Sequence, residues 1–405
     1  MHVLEIVGNA IVGGMETHVQ QLLESLPSVR FRFTLLAPYD SAFTGSIRAL
    51  GVRVHIAPIK DEVGWRTLQY ASAMIANEQV DVVHTHLPNA HALGGLAGRL
   101  TGRPVLATVH GRSLTPLDIE VQRLTDTHLA AVCPACFHHA LGVGVPAKRL
   151  HLLSMGVDTE RFRPGPRDTN RLRAELGIGP SEPLVGFVGR LSWEKGPDLF
   201  LRTAVGVRAR CPTARFVLVG DGPMREELQT SAERFGLVSA VHFAGLRADM
   251  PEIYPGFDLL VSSSRSEATP FAVMEALSCG IPVVAFAVGG VPDLIENEVS
   301  GWLADEADVE GLAERVTLRL QNVAGRGIAA RAARLRALAH AAHRTSMDSA
   351  AQALESVALA GSANRATGSM PYADCGTPVL GAAPAVVDLH SHLKQGVLHR
   401  SRDLP

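Results

Sequence analysis

What this 405-residue chain has little of narrows the field first. Aromatic residues make up only 5% of it, and 38 Lys and Arg nearly cancel 40 Asp and Glu, for a formal charge of −2 at pH 7. A general polyanion binder needs a strongly basic footprint, so nucleic acid is excluded as a main partner. The 5 cysteines are an odd number in a long chain, which argues against a secreted disulfide framework and for reduced thiols. No stretch approaches the roughly 18 uninterrupted apolar residues of a membrane-spanning helix. The opening Met1-His2-Val3-Leu4-Glu5 has neither a cationic n-region nor a long apolar h-region. No secretory leader is therefore expected, and a cytoplasmic location follows.

What is there is apolar and periodic. At 46% hydrophobic residues, a chain of this length carries two domains with real cores. Short β-branched runs at Val3 to Val7, Phe33 to Ala37, Val52 to Ala57, Val80 to Thr85 and Val105 to His110 alternate with helical stretches such as Met15 to Leu26 and Leu68 to Asn77. That rhythm predicts βαβ units on a buried, mostly parallel sheet. It breaks at Phe162-Arg163-Pro164-Gly165-Pro166-Arg167, which has the composition of a linker. It then restarts with strands predicted at Leu184 to Val188, Arg215 to Val219, Val241 to Phe243, Asp258 to Ser262 and Val283 to Ala287.

The predicted organisation is an α/β chain of two doubly wound, Rossmann-like domains facing a central cleft, 1–162 and 163–320. A helical segment follows over 321–360, where Arg331, Arg334, Arg336 and Arg344 read as a solvated helix face among alanines too small to anchor in a membrane. Residues 361–405 turn to Gly, Pro, Ala and Ser without periodicity and read as a disordered tail.

Ligands on such sheets sit beyond the carboxyl ends of the strands, and four local features stand there. Gly13-Gly14 with Glu16 separates the first strand from its helix, where glycine lets backbone N–H groups approach a ligand. Arg190 and Lys195 lie on a glycine-bounded loop after the strand Leu184 to Val188. A guanidinium that grips two oxygens and an ammonium that neutralises charge suit a diphosphate. Glu267 and Glu275 bracket the start of a helix at Pro270, two carboxylates that can accept hydrogen bonds from vicinal hydroxyls while free N–H groups face anionic oxygen. His110 ends a first-domain strand in Thr108-Val109-His110-Gly111.

These residues carry a resemblance to the retaining GT-B glycosyltransferases of family 4, extending from Val3 to about Leu359. Its pieces are Gly13-Gly14-Met15-Glu16, Thr108-Val109-His110-Gly111, Met155-Gly156-Val157-Asp158, Gly189-Arg190-Leu191 with Lys195-Gly196, Gly220-Asp221-Gly222-Pro223, and Glu267 with Glu275. The chain departs from the family at Ala268-Thr269-Pro270-Phe271, where many members have Gly-Phe-Gly, at Met155, where many have Asn, and at Cys133, where Ser is usual.

The resemblance implies a hexosyltransferase that uses a UDP- or GDP-linked donor, retains the anomeric configuration and needs no metal or other cofactor. It assigns Arg190 and Lys195 to the donor diphosphate, Glu267 to the donor sugar, Glu275 to the ribose, and the N–H groups of Phe271 and Ala272 to anionic oxygen. His110 falls beside the transferring sugar, Gly13 and Gly14 at the donor phosphates or the acceptor entrance, and Leu246 and Arg247 at the base. The implied acceptor is a sugar or a lipid-linked sugar in polysaccharide or glycolipid assembly, which leaves peripheral membrane contact open. A nucleotide-sugar epimerase of the same shape and a non-catalytic nucleotide-sugar-binding module are the alternatives.

Two other motifs carry less. Cys133-Pro134-Ala135-Cys136 has redox spacing, yet two small buried residues at a strand-to-helix turn explain it better. Asp388-Leu389-His390-Ser391-His392 resembles the first metal-binding strand of amidohydrolases, with too little chain after it for the other ligands.

Overall fold

The computed structural model describes residues 1–366 apart from Val12, Ala341 and Ala342. Seven parallel strands form the first sheet: β1 (His2–Val7), β2 (Arg32–Ala37), β3 (Arg53–Ile56), β4 (Val82–His86), β5 (Val105–Val109), β6 (His128–Ala131) and β7 (Leu150–Leu152), in the order β3-β2-β1-β4-β5-β6-β7. Six more form the second: β8 (Leu184–Val188), β9 (Arg215–Val219), β10 (Val241–Gly245), β11 (Leu259–Ser262), β12 (Val283–Phe286) and β13 (Gly301–Ala304), in the order β10-β9-β8-β11-β12-β13. This is the two-domain α/β architecture of the GT-B fold. Helices cover both faces of each sheet, so β1, β4 and β5 are buried along their whole length, as parallel strands require.

Strand order reverses between β1 and β4 in the first sheet and between β8 and β11 in the second. These reversals open crevices beyond the carboxyl ends of the strands, and the predicted site loops lie there. Met1–Ala363 form one compact unit. Thr269, after β11, donates its hydroxyl to the Val132 carbonyl after β6 at 2.8 Å, tying the loops of the two sheets together.

Three strands escape the sequence pattern: β6, β7 and β13 contain no β-branched residue, unlike the equally short β3, β11 and β12. Elsewhere the bounds move by a residue or two. β4 begins at Val82 and runs on to His86, and β5 stops at Val109, which leaves His110 in the loop beyond it.

At the C-terminal end, the helix Arg326–His340 buries Ala333 and Ala337 in the core of the second sheet. The helix His343–Ala366 returns to the first sheet, packing Met347, Ala350, Leu354 and Val357 against Val3, Leu22, Phe31 and Val82. That helix passes the predicted start of the tail at 361; the remainder, 367–405, with Asp388 to His392, lies outside the described residues. The expectation of a solvated arginine face fails for two members. Arg334 donates to the carbonyls of Phe162, Thr159 and Ser278 at 2.9, 2.9 and 2.7 Å, and Arg336 to those of Leu294 and Asp293 at 3.1 and 2.8 Å. Helix-end and loop carbonyls lack partners of their own, and a guanidinium can satisfy several at once. Among the described residues, no helix is long and apolar enough to cross a membrane.

The linker-like segment is pinned as well. Arg167 grips Asp258 through Nε and Nη2 at 2.7 and 3.1 Å, and Asp258 also receives Arg173, Arg326 and the amide of Leu184 at 3.3, 3.0 and 2.8 Å. Asp258 and Arg173 are each 1% exposed at the side chain. Removing the carboxylate would leave a buried guanidinium without its counter-charge. Asp258→Ala is therefore expected to lower unfolding free energy by about 3–5 kcal/mol, read as a fall in the denaturant midpoint. A loss below about 1 kcal/mol would show that water compensates the arginines.

Candidate functional site

The loop after β8 turns sharply at Gly196, whose φ of +63° and 2.1 Å approach of a would-be Cβ to the Ser263 carbonyl admit only glycine. This lays the β8 loop against the β11 loop. Arg265 adds to the union, donating to the Trp193 carbonyl at 2.8 Å, pairing with Asp198 at 2.6 Å and covering the Trp193 ring at 4.9 Å. As a result Lys195 Nζ reaches both oxygens of Glu267 at 2.8 Å, and Ser264 donates to Glu267 Oε1 at 2.7 Å. Glu267 is 8% exposed. The predicted diphosphate cation and the predicted sugar carboxylate thus stand as a hydrogen-bonded pair. An ammonium has three N–H donors, so the pairing leaves capacity for an anionic oxygen.

Arg190 differs. It is exposed and makes no side-chain hydrogen bond among the described residues, although Glu194 on its own loop and Glu16 lie within its electrostatic reach. Glu16, in the first turn of the helix Gly14–Ser25, is buried and accepts from Asn9 at 3.2 Å. Burial raises its pKa against the opposing pull of Asn9 and Arg190. A methyl on Gly14 would come within 3.4 Å of the Phe271 ring, so Gly13-Gly14 and the helix Phe271–Ser278 line opposite walls of one crevice.

That helix starts at Pro270 with no side-chain cap, and its first internal bond is from Val273 to the Pro270 carbonyl at 3.1 Å. The N–H groups of Phe271 and Ala272 precede it and make no hydrogen bond among the described residues. Behind them Glu275 accepts from Tyr254 at 2.7 Å. Burial pushes the Glu275 carboxyl up to about 7, with Tyr254 and Arg161 opposing. Gly289, unremarked in the sequence, has φ +54° and lies so close to the Glu267 carbonyl that a Cβ would fall 1.6 Å from it. It holds the carboxylate loop from behind.

On the first-sheet side, His110 meets His86 (Nε2 to Nδ1, 2.9 Å), and His86 Nε2 in turn meets Glu5 at 2.9 Å. Burial drives His110 well below its ordinary pKa, with the other imidazoles adding to the effect. Glu5, His84, His86 and His18 are all buried and went unread in the sequence, because they come from two strands and a helix that nothing local links together. The available signal was His84 and His86 two apart on one strand, hence on one face, with His84 level with Glu5 across the β1–β4 register.

Leu246 and Arg247 follow β10, in the same sheet as β8 and β11. Leu246 is 78% exposed. Arg247 is clamped by Asp249 at 2.8 and 2.7 Å and by Glu175 at 2.8 Å, which makes it a fixed planar surface more than a free cation. Cys133 and Cys136 are free and buried, and burial pushes the Cys136 thiol up to about 12, which is inert for redox exchange.

Glu275 yields a pH test. Its folded-state pKa of about 7 exceeds the ordinary 4.5, so the folded protein holds a proton that the unfolded chain has lost. Its stabilisation is complete below about 4.5 and disappears as pH rises to about 7. Wild type is expected to lose unfolding free energy relative to Glu275→Gln across that window, measured by denaturant titration; parallel curves would refute the shift.

Known proteins fit this geometry. The family described as Glycosyltransferase Family 4 matches residues 12–161, and that described as Glycosyl transferases group 1 matches residues 168–336. A D-inositol 3-phosphate glycosyltransferase of Segniliparus rotundus is 32% identical over 253 residues, 61% of this chain but 51% of that protein. The chain thus spans about half the length of that relative. The UDP-Gal:alpha-D-GlcNAc-diphosphoundecaprenol alpha-1,3-galactosyltransferase of Escherichia coli is 28% identical over 74% of this chain and 83% of its own. Anabaena HepE, crystallised with UDP-glucose, superposes with a TM-score of 0.79 at 23% identity, over 88% of this chain and all (100%) of that one. Sucrose-phosphate synthase from Thermosynechococcus elongatus gives 0.74 at 19%, over 89% and 100%. With two family models following one another along the two sheets and the fold shared over most of the chain, the chain belongs to the group 1 glycosyltransferases of GT-B architecture.

Proposed function

We propose that the protein transfers a hexosyl group from a UDP- or GDP-linked donor to an acceptor hydroxyl with retention of configuration, and that the reaction needs no metal. The observation that carries this reading is the convergence of an unpaired arginine, the Lys195–Glu267 pair and two unspent N–H groups on one crevice. As the C1–O bond to the diphosphate breaks, its electron pair leaves on phosphate oxygen. Arg190, Lys195 and the N–H groups of Phe271 and Ala272 stabilise that charge where it develops. Glu267 orients the sugar hydroxyls and lies near the positive ring, Glu275 takes the ribose, and His110 meets the sugar from the opposite wall.

The acceptor oxygen attacks C1 from the face the diphosphate leaves, and its proton passes to the departing phosphate oxygen. A UDP-linked donor is supported by the printed donor of the Escherichia coli relative and by the ligand of the Anabaena structure. The diphosphoundecaprenol-linked acceptor in the same relative's name supports a lipid-linked sugar as the acceptor.

Donors are expected to declare themselves by thermal shift. A nucleotide sugar at about 100 times its Kd should add about 2.7 kcal/mol of stability. Arg190→Ala is expected to lower kcat roughly a hundred- to thousandfold with the melting temperature unchanged. The anomeric coupling of the product, followed by NMR as it forms, tests retention: an inverted product, or C2 inversion of the donor without transfer, would sink the reading.

A further inference from the structure

Five ionisable side chains sit together beneath the first-sheet wall of the crevice: Glu5 on β1, His84 and His86 on β4, His18 on the helix Gly14–Ser25, and His110 just past β5. Glu5, His84 and His86 are sealed from solvent, an expensive arrangement for a parallel sheet core unless every polar atom has a defined partner. The partners are defined. His84 Nδ1 lies 3.0 Å and His86 Nε2 2.9 Å from the Glu5 carboxylate, His84 Nε2 lies 2.8 Å from the Thr108 hydroxyl, and His86 Nδ1 lies 2.9 Å from His110 Nε2. Nδ1 of His110 has no partner among the described residues.

We infer that Glu5, acting through His86, is a positioning residue that fixes His110 as the tautomer protonated on Nε2, with Nδ1 left as a bare acceptor for a hydroxyl of the bound sugar. The chain of donors runs one way. Burial alone would raise Glu5, but the imidazoles His84 and His86 hold it down to about 2, so it is ionised and accepts only. His86 must then donate from Nε2. Burial lowers His86 to about 4, so it is neutral near pH 7, and its Nδ1 carries a lone pair. That lone pair can only accept, and His110 Nε2 is the atom that faces it.

His110, neutral in its turn, has no second proton. His18 stands edge-on to both rings, at 6.2 Å from His86 and 5.8 Å from His110, and burial lowers it to about 3, so it brings no competing charge. A metal ion is the other occupant such a trio could hold. The pairwise hydrogen-bond distances already account for both carboxylate oxygens and both imidazole donors.

Which hydroxyl meets Nδ1 rests on the reading of the crevice as a donor-sugar site; the tautomer does not. The test is a long-range 1H–15N correlation spectrum of the full chain labelled at histidine, with His110 assigned by the peak lost in His110→Gln. The expected result is a proton on Nε2 and a bare Nδ1. A proton on Nδ1, on both nitrogens, or a stoichiometric transition metal in the purified protein overturns the inference.

His86→Gln is expected to abolish the tautomer preference and to lower kcat about tenfold or more, while donor KM moves less than about threefold. Unchanged kcat with an altered tautomer removes the positioning role, and if the variant fails to fold, the wild-type spectrum still decides the tautomer. A protein that shows the Nε2 proton but turns over no nucleotide sugar keeps the relay and loses the transferase.

Discussion

Parallel strand direction is the constraint on which everything else rests. With every strand of both sheets running one way, each carboxyl end delivers its loop to the same edge, and each reversal of strand order leaves a crevice between diverging loops. Residues that carry chemistry need not be close in sequence, only placed just after a strand. Lys195 and Glu267 follow β8 and β11, which are neighbours in the second sheet, so they meet at 2.8 Å. His86 ends β4 and His110 follows β5, and these strands are neighbours in the first.

The same direction forces the strands to be buried on both faces, and this decides how the protein places charge. Asp258 and Glu5 are both sealed carboxylates, and each is surrounded by donors, arginines and an amide in one case, imidazoles in the other. Arginines at Asp258 hold the chain that connects the sheets and the helix that follows them. Imidazoles at Glu5 are suited to a different task, because a neutral ring accepts on one side and donates on the other, and so transmits orientation from the core to the crevice wall. A near-neutral net charge is compatible with the proposed phosphate site because the two cations assigned to it there, Arg190 and Lys195, lie on a single loop.

Much of the site was legible because glycine, charge and strand ends coincide in the sequence. Arg190 and Lys195 lead into a turn that needs glycine at 196, and Glu267 and Glu275 bracket a proline suited to a helix start. The short strands β6, β7 and β13 were not legible, since none of them contains a β-branched residue. Glu5, His84 and His86 were invisible for another reason: a polar residue within a strand gives no sign of its partner when that partner lies on a different strand.

By itself the sequence determined the α/β class, the alternation of strands and helices, and the loops that bear the cations and carboxylates, because periodicity and turn chemistry are local properties of the chain. Only the tertiary structure decided the pairings: Lys195 with Glu267, Glu275 with Tyr254, Arg334 with the carbonyls of Phe162 and Ser278, and His110 with His86 and Glu5. Those depend on which strands become neighbours and in what register. Hydrogen bonds formed across such distances in sequence are fixed by packing, which no local pattern encodes.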